Sequence, residues 1–249
     1  MVYNTPPIPS IISRDGQDPT VSADLDQPKP SIGETAGPKP SDCQASYDLV
    51  ADEYVRRIFD ELPHKPLDRA LLDRFAASVR EVGPACDLGC GPGHVTGYLH
   101  ARGVAICGID LSPVLVERAR QLIPGVDFRP GDMMALDAPD EAWAGIVAFY
   151  SLIHIPRGEL TRALIEIRRV LSPGGRLLLA FHIGDEDLHL REWWGRQVCV
   201  DFFFWLPADV VGHLRAAGFE IEEVIEREPY PEIEHQSRRA YIFARKPAP

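Results

Sequence analysis

Residues 86–94 read Cys-Asp-Leu-Gly-Cys-Gly-Pro-Gly-His, with glycines at positions 89, 91 and 93 behind a short apolar run. The next apolar run, Gly108-Ile109-Asp110-Leu111-Ser112, ends on an acidic residue about 20 residues later. That spacing predicts a doubly wound α/β sheet that cradles a nucleoside-containing ligand at its first crossover. Glycine has no Cβ to hold backbone away from a ligand. A carboxylate at Asp110 can accept hydrogen bonds from both hydroxyls of a ribose.

The dinucleotide fingerprint is Gly-x-Gly-x-x-Gly, and its third glycine falls on His94 here. Asp87 stands before the loop, and Gly131-Asp132-Met133 follows the third predicted strand. Three carboxylates, Asp87, Asp110 and Asp132, suit a cationic ligand with amino and hydroxyl donors better than a pyrophosphate. At these residues the sequence resembles the class I S-adenosylmethionine-dependent methyltransferases, and the Asp-Leu-Gly-Cys-Gly-x-Gly form carries the resemblance. It covers about residues 46–246. It implies a Rossmann-like α/β fold: a seven-stranded sheet of order 3-2-1-4-5-7-6, strand 7 antiparallel, with helices on both faces. It also implies S-adenosylmethionine as the methyl donor. Asp87 would then accept from the donor's amino group, directly or through water, or else cap the glycine-loop amides, and Gly89, Gly91 and Gly93 would approach the donor's amino-acid end. Asp110, with Leu111 beside it, would take the ribose. Asp132 would face the adenine amino group, and Met133 would pack on the ring. Tyr150 lies at the end of the fourth strand, and Tyr47 and Tyr54 would close over the donor from an N-terminal helix or else belong to the core.

A length of 249 residues fits one α/β domain with a tail, and 45% hydrophobic residues support a sizeable core. The net charge of −11 argues against a broad basic surface for nucleic acid. No apolar run approaches the ~18 residues of a membrane span, and no secretory layout opens the chain. The five cysteines form no regular framework, as expected of a reduced, cytoplasmic protein. Residues 1–42 hold eight prolines and one aromatic, Tyr3, and are expected to be a disordered leader before a methyltransferase domain at 43–249. Hydrophobic periodicity predicts helices opening near 47 and 67, then strands and helices alternating to a fifth strand at 176–182. A helix at 207–217 and strands at 219–228 and 239–244 follow.

Methyl transfer is a displacement in which the protein aligns reactants and excludes water. It needs a base only where the nucleophile must lose a proton. His154 and His182, at the ends of strands four and five, are the candidate bases, His182 first because an aromatic-rich segment at about 183–206 follows it. That segment interrupts the strand–helix alternation and reads as a substrate cap, with Trp193, Trp194 and Phe203, joined by Arg239, facing the acceptor. The same rings could instead cover a sheet edge or a dimer contact. The charged stretch 232–239 reads as a hairpin turn, either solvated or reaching the crevice mouth. Neither the Asn/Asp-Pro-Pro-Tyr box of amino methyltransferases nor the acidic set of Mg²⁺-dependent enzymes is present, so the resemblance is to the metal-independent, small-molecule type. The expected activity is methyl transfer to an oxygen or nitrogen of a small hydrophobic or aromatic molecule. The alternatives are a nicotinamide-dependent oxidoreductase and a non-catalytic S-adenosylmethionine-binding protein. The expected partner is a small-molecule acceptor, with neither nucleic acid nor membrane, and the choice of monomer or homodimer stays open.

Overall fold

A computed structural model describes residues 40–248. The expected leader at 1–39 lies outside the described residues, while Pro40–Asp42, assigned to it from sequence, open the first helix. The elements are α1 (Pro40–Ile58), α2 (Pro66–Val79), β1 (Ala85–Leu88), α3 (His94–His100), β2 (Ile106–Asp110), α4 (Pro113–Leu122), β3 (Asp127–Pro130) and β4 (Trp143–Phe149). There follow α5 (Leu160–Val170), β5 (Leu171–His182), β6 (Asp187–Trp193), β7 (Arg196–Phe203), α6 (Pro207–Ala216), β8 (Glu220–Arg227) and β9 (Arg239–Arg245).

Seven strands form one sheet in the order β3-β2-β1-β4-β5-β9-β8. All neighbours from β3 to β5 are parallel, and β9 runs antiparallel to both β5 and β8. This is the expected topology, with the last two strands renumbered by an inserted hairpin. The central strands are largely apolar because helices cover both faces. Along β5, Leu177, Leu179 and Phe181 enter one core with Leu160, Leu164 and Ile167 of α5. The intervening Leu178 and Ala180 enter the other with Leu72, Phe75 and Val79 of α2. The period of two in a strand thus feeds two layers. In α5 the buried positions 160, 163, 164, 167 and 170 form one helical stripe. β8, at the edge, turns Glu220, Glu222, Glu223 and Glu226 outward, which disfavours pairing with another strand. Among the described residues no helix is long and apolar enough to cross a membrane.

The segment read as a cap is a second, two-stranded sheet of β6 and β7, paired from Asp187↔Phe203 to Trp193↔Arg196. Its turn is Trp194-Gly195, with φ of 50° and 76°. Positive φ at both central residues is what a tight hairpin turn matched to strand twist requires. The hairpin packs on α1, and α1 packs on α4. At this contact Ser46 Oγ accepts from the Cys199 amide at 2.9 Å. Ser112, the N-cap of α4, accepts from the Leu115 amide and donates its hydroxyl to Asp48 of α1 at 2.5 Å. These bonds hold α1 and the hairpin above the carboxyl ends of β1, β2, β4 and β5.

Candidate functional site

A cavity of about 1110 Å³ opens at those strand ends, on the sheet's topological switch point between β1 and β4. Its floor is the loop between β1 and α3. Gly89, Gly91 and Gly93 all have positive φ, at 73°, 52° and 83°. A Cβ on Gly89 would stand 2.2 Å from Ser151 Cβ, and one on Gly93 would stand 2.8 Å from the Phe128 ring. These two glycines are required by packing. At Gly91 a Cβ would meet only Tyr54, at 3.5 Å, so that position faces the cavity.

Asp110 faces the cavity beside this loop. Its Oδ2 accepts from the Gly91 amide at 2.7 Å and its Oδ1 from the Ser112 amide at 2.8 Å. Each oxygen keeps a lone pair free. Burial raises its carboxyl to about 6, against the pull of the two amides. Leu111, Asp132 and Met133 line the same end. Asp132 Oδ1 accepts from the Met134 amide at 2.8 Å, which fixes the turn. Ser151 Oγ is buried here without a hydrogen-bond partner among the described residues.

Asp87 is placed differently from the expectation. It is 1% exposed, is absent from the cavity wall and accepts the Thr96 hydroxyl at 2.6 Å. Its role is to tie β1 to α3 behind the loop. Burial raises its carboxyl to about 6. Gly93 is likewise behind the wall, packed on Phe128.

α1 and the β6–β7 hairpin close the cavity from above. Tyr47 packs edge-on against Tyr54, His154 and Trp193, each with centroids 5.3 Å apart. Trp193 stacks on Trp194 at 4.7 Å, and Arg57 lies 5.0 Å over Trp194. Phe203 also lines the wall. Tyr47, Tyr54, Trp193 and Trp194, expected on the donor and acceptor sides separately, form one aromatic cluster.

His154 is corrected as a candidate base, because both of its ring nitrogens are taken. Nδ1 lies 2.9 Å from the Asp201 carbonyl, which can only accept, so Nδ1 carries the hydrogen. Nε2 then accepts from the Tyr47 hydroxyl at 2.9 Å. The ring joins α1 to β7, and burial holds it neutral by lowering its pKa to about 4.

His182, at the end of β5, faces the cavity. Phe204 stacks on it at 5.1 Å and 16°, while Tyr150 and His235 pack at 5.2 and 5.8 Å. Its Nδ1 lies 2.8 Å from Ser237 Oγ. Burial, and then the charge of Arg239, hold it neutral. Arg239 is 2% exposed and pins the 235–237 turn: it donates to Ser237 Oγ at 2.5 Å and to the His235 carbonyl at 2.7 Å. Tyr150, with φ of 53°, directs its hydroxyl to Tyr241 at 3.1 Å and its ring towards Arg239 at 5.6 Å.

Sequence reasoning missed Lys65, Glu61 and His94, which also line the cavity. Lys65 is 4% exposed and pairs with Glu61 at 2.8 Å and Glu234 at 3.4 Å. Against its burial, Lys65 and His94 hold the Glu61 carboxyl at about 2. The Glu61-x-x-x-Lys65 spacing was the one available signal.

A family model described as a methyltransferase domain matches residues 85–175. The trans-aconitate 2-methyltransferase of Methylobacterium nodulans is 37% identical over 138 residues, 53% of this chain and 46% of that protein. The malonyl-[acyl-carrier protein] O-methyltransferase of Erwinia billingiae is 28% identical over 172 residues, 66% of each. The match thus spans less than two thirds of both relatives. Among solved structures, the DhpI–SAH complex superposes with a TM-score of 0.66 at 22% identity, over 84% of this chain and 97% of that one. Residues 85–175 thus match a methyltransferase domain, and the sheet that carries them has the fold of solved S-adenosylmethionine-dependent methyltransferases.

Proposed function

We propose that the protein transfers the methyl group of S-adenosylmethionine to an oxygen or nitrogen of a small acceptor with an apolar or aromatic body. The carrying observation is one cavity with two unlike ends. At one end, Asp110 keeps free lone pairs beside Gly91; at the other, His182 and Arg239 lie beyond an aromatic wall. The residues fit the donor. Asp110 would hold its ribose, the turn of Asp132 and Met133 its adenine, and Gly91 and the unpartnered Ser151 hydroxyl its amino-acid end. When bound, the donor supplies an electrophilic methyl group on sulfonium. The chain's own part is to align the acceptor and exclude water, with Tyr47, Tyr54, Trp193 and Trp194 as the dry wall. The names of the two relatives, with trans-aconitate and malonyl-[acyl-carrier protein] as acceptors, support a small acyl or acid acceptor.

Calorimetry of the wild type with S-adenosylhomocysteine and with NAD⁺ tests the donor, and mass spectrometry with methyl-labelled S-adenosylmethionine tests transfer. Binding of S-adenosylhomocysteine without NAD⁺ is expected. Preference for NAD⁺ would overturn the reading in favour of the oxidoreductase. Donor binding with no transfer to any acceptor would favour the non-catalytic protein.

A further inference from the structure

Arg239, Ser237 and His182 form a chain of hydrogen bonds with a fixed direction. Arginine only donates, so Ser237 Oγ accepts from Arg239 Nη1 at 2.5 Å. Among the described residues, the acceptor in reach of the Ser237 hydroxyl hydrogen is His182 Nδ1, at 2.8 Å. If Nδ1 carried the hydrogen instead, the serine hydrogen would have no acceptor among the described residues and would be left to solvent. The arrangement that satisfies all three groups makes Nδ1 the acceptor and leaves the proton on Nε2. The nitrogen of His182 left for the cavity is then an N–H donor and offers no lone pair.

The hydrogen-bonded and ion-paired groups at this end are also poor bases. His154 has both nitrogens engaged. Glu234 is locked between Arg227, Arg239 and Lys65, and Glu61 between Lys65 and His94. Arg239, Lys65, His235 and His154 are the charged or titratable groups whose fields reach His182, and each opposes a positive charge on its ring. An alcohol or phenol must surrender a proton, and neither the Nε2–H of His182 nor the engaged His154, Glu234 and Glu61 can take it, which leaves His235, 5.8 Å from His182, as the one group to be tested as a base. A neutral amine would meet the Nε2–H with the lone pair it needs for attack. An oxygen acid that is already ionised matches the site: one oxygen takes the Nε2–H, near the buried cations, while the other attacks.

Resting on the function proposed above, we infer that the acceptor is a carboxylate, methylated on oxygen, and that His182 Nε2–H is its recognition donor. The step balances without a base. A carboxylate oxygen forms a bond to the methyl carbon, the carbon–sulfur bond breaks with its pair returning to sulfur, and the products are a methyl ester and a neutral thioether. No proton moves.

The first test needs no turnover. Two-bond ¹⁵N–¹H NMR of the free protein, with His182 assigned by His182→Gln, reads the tautomer between pH 6 and 8. The Nε2–H pattern is expected, and an Nδ1–H pattern or a protonated ring would overturn the inference. The second test offers benzoate, phenol and aniline, with aliphatic counterparts, together with methyl-labelled S-adenosylmethionine. Base-labile label, released as methanol, marks an ester. Label confined to base-stable ethers or amines would overturn the inference while leaving the methyltransferase reading intact; failure to bind S-adenosylhomocysteine would remove that reading itself. In the third test, His182→Ala should raise the acceptor KM at least about tenfold with little change in kcat, because it removes a binding contact. His182→Gln, which keeps an N–H, should recover most of that loss, and S-adenosylhomocysteine affinity should not move in either. A glutamine variant as impaired in kcat as the alanine variant, or activity that disappears in His235→Gln, would identify a lost base and refute the donor role.

Discussion

Acid should loosen the bridge that His154 makes between α1 and the β6–β7 hairpin. The neutral ring donates from Nδ1 to the Asp201 carbonyl and accepts at Nε2 from Tyr47; protonation would turn the second bond around and bury an uncompensated charge. Its pKa is about 4 in the folded protein against 6.5 in an unfolded chain. Above 6.5 both states are neutral and the contribution is complete. As the pH falls, the unfolded chain binds the proton first, so stability is lost between 6.5 and about 4. A shift of that size corresponds to about 3 kcal/mol, with a steepest slope of about 1.4 kcal/mol per pH unit. Urea unfolding followed by tryptophan fluorescence and circular dichroism, from pH 7 to 4.5, measures it. His154→Gln is the reference, since an amide supplies one donor and one acceptor and does not titrate. Other groups titrate alike in both proteins and cancel in the difference. The wild type should lose stability faster than the variant, by most of those 3 kcal/mol. Parallel curves would show that His154 titrates normally and that the bridge is not what keeps it neutral.

Asp110→Ala should weaken S-adenosylhomocysteine binding by about 1.5–3 kcal/mol in calorimetry, with circular dichroism unchanged. Because the Asp110 carboxyl sits near 6, wild-type affinity should also fall below pH 6 as the acceptor lone pairs are lost, and a flat profile would argue against the ribose role. Gly89→Ala places a Cβ 2.2 Å from that of Ser151 at a φ of 73°, and should abolish donor binding or the fold; Gly103→Ala, with φ of 81° and open space, should cost only about 1–2 kcal/mol in thermal unfolding. Asp68 is 1% exposed and accepts from Arg227 at 3.0 Å and from Tyr241 at 2.9 Å; because Arg227 keeps its pair with Glu234, Asp68→Ala should cost about 1–3 kcal/mol in thermal unfolding, the penalty for the buried Tyr241 hydroxyl left without its acceptor.

The parallel half of the sheet was legible because apolar runs there alternate with amphipathic stretches and are punctuated by Gly, Pro or Ser, as at Ser112-Pro113 and Gly174-Gly175. Each signal is local. The β6–β7 hairpin was not legible as strands, since its turn is Trp194-Gly195 where Asn-Gly is the usual signature. Asp87 shows the limit of motif spacing. A carboxylate before a glycine loop looks the same whether it meets a ligand or, as here, the hydroxyl of Thr96 nine residues on. Lys65 reads as surface, because its burial depends on Glu234, supplied by a hairpin 169 residues away. His182 was rightly placed at a strand end, whereas His154 lies in a short helical turn, Leu152–His154, beyond the end of β4 at Phe149. What each nitrogen can do, however, depends on Asp201, Tyr47, Ser237 and Arg239, partners that only the tertiary fold brings together.

The junction of Ser46 and Cys199 joins chain positions 153 residues apart, and both lie outside the matched domain at 85–175. Floor and ceiling of the cavity therefore belong to different stretches of chain. Glycines and carboxylates that would meet the donor are inherited with the domain. The aromatic ceiling is assembled from flanking sequence and is held by a few polar bonds to α4 and β7. Such a division lets selection redraw the ceiling, and with it the choice of acceptor, while the donor end stays untouched. Exchange of the β6–β7 hairpin between relatives is the corresponding engineering route, with Ser46, Tyr47 and Asp48 as the seam to be preserved.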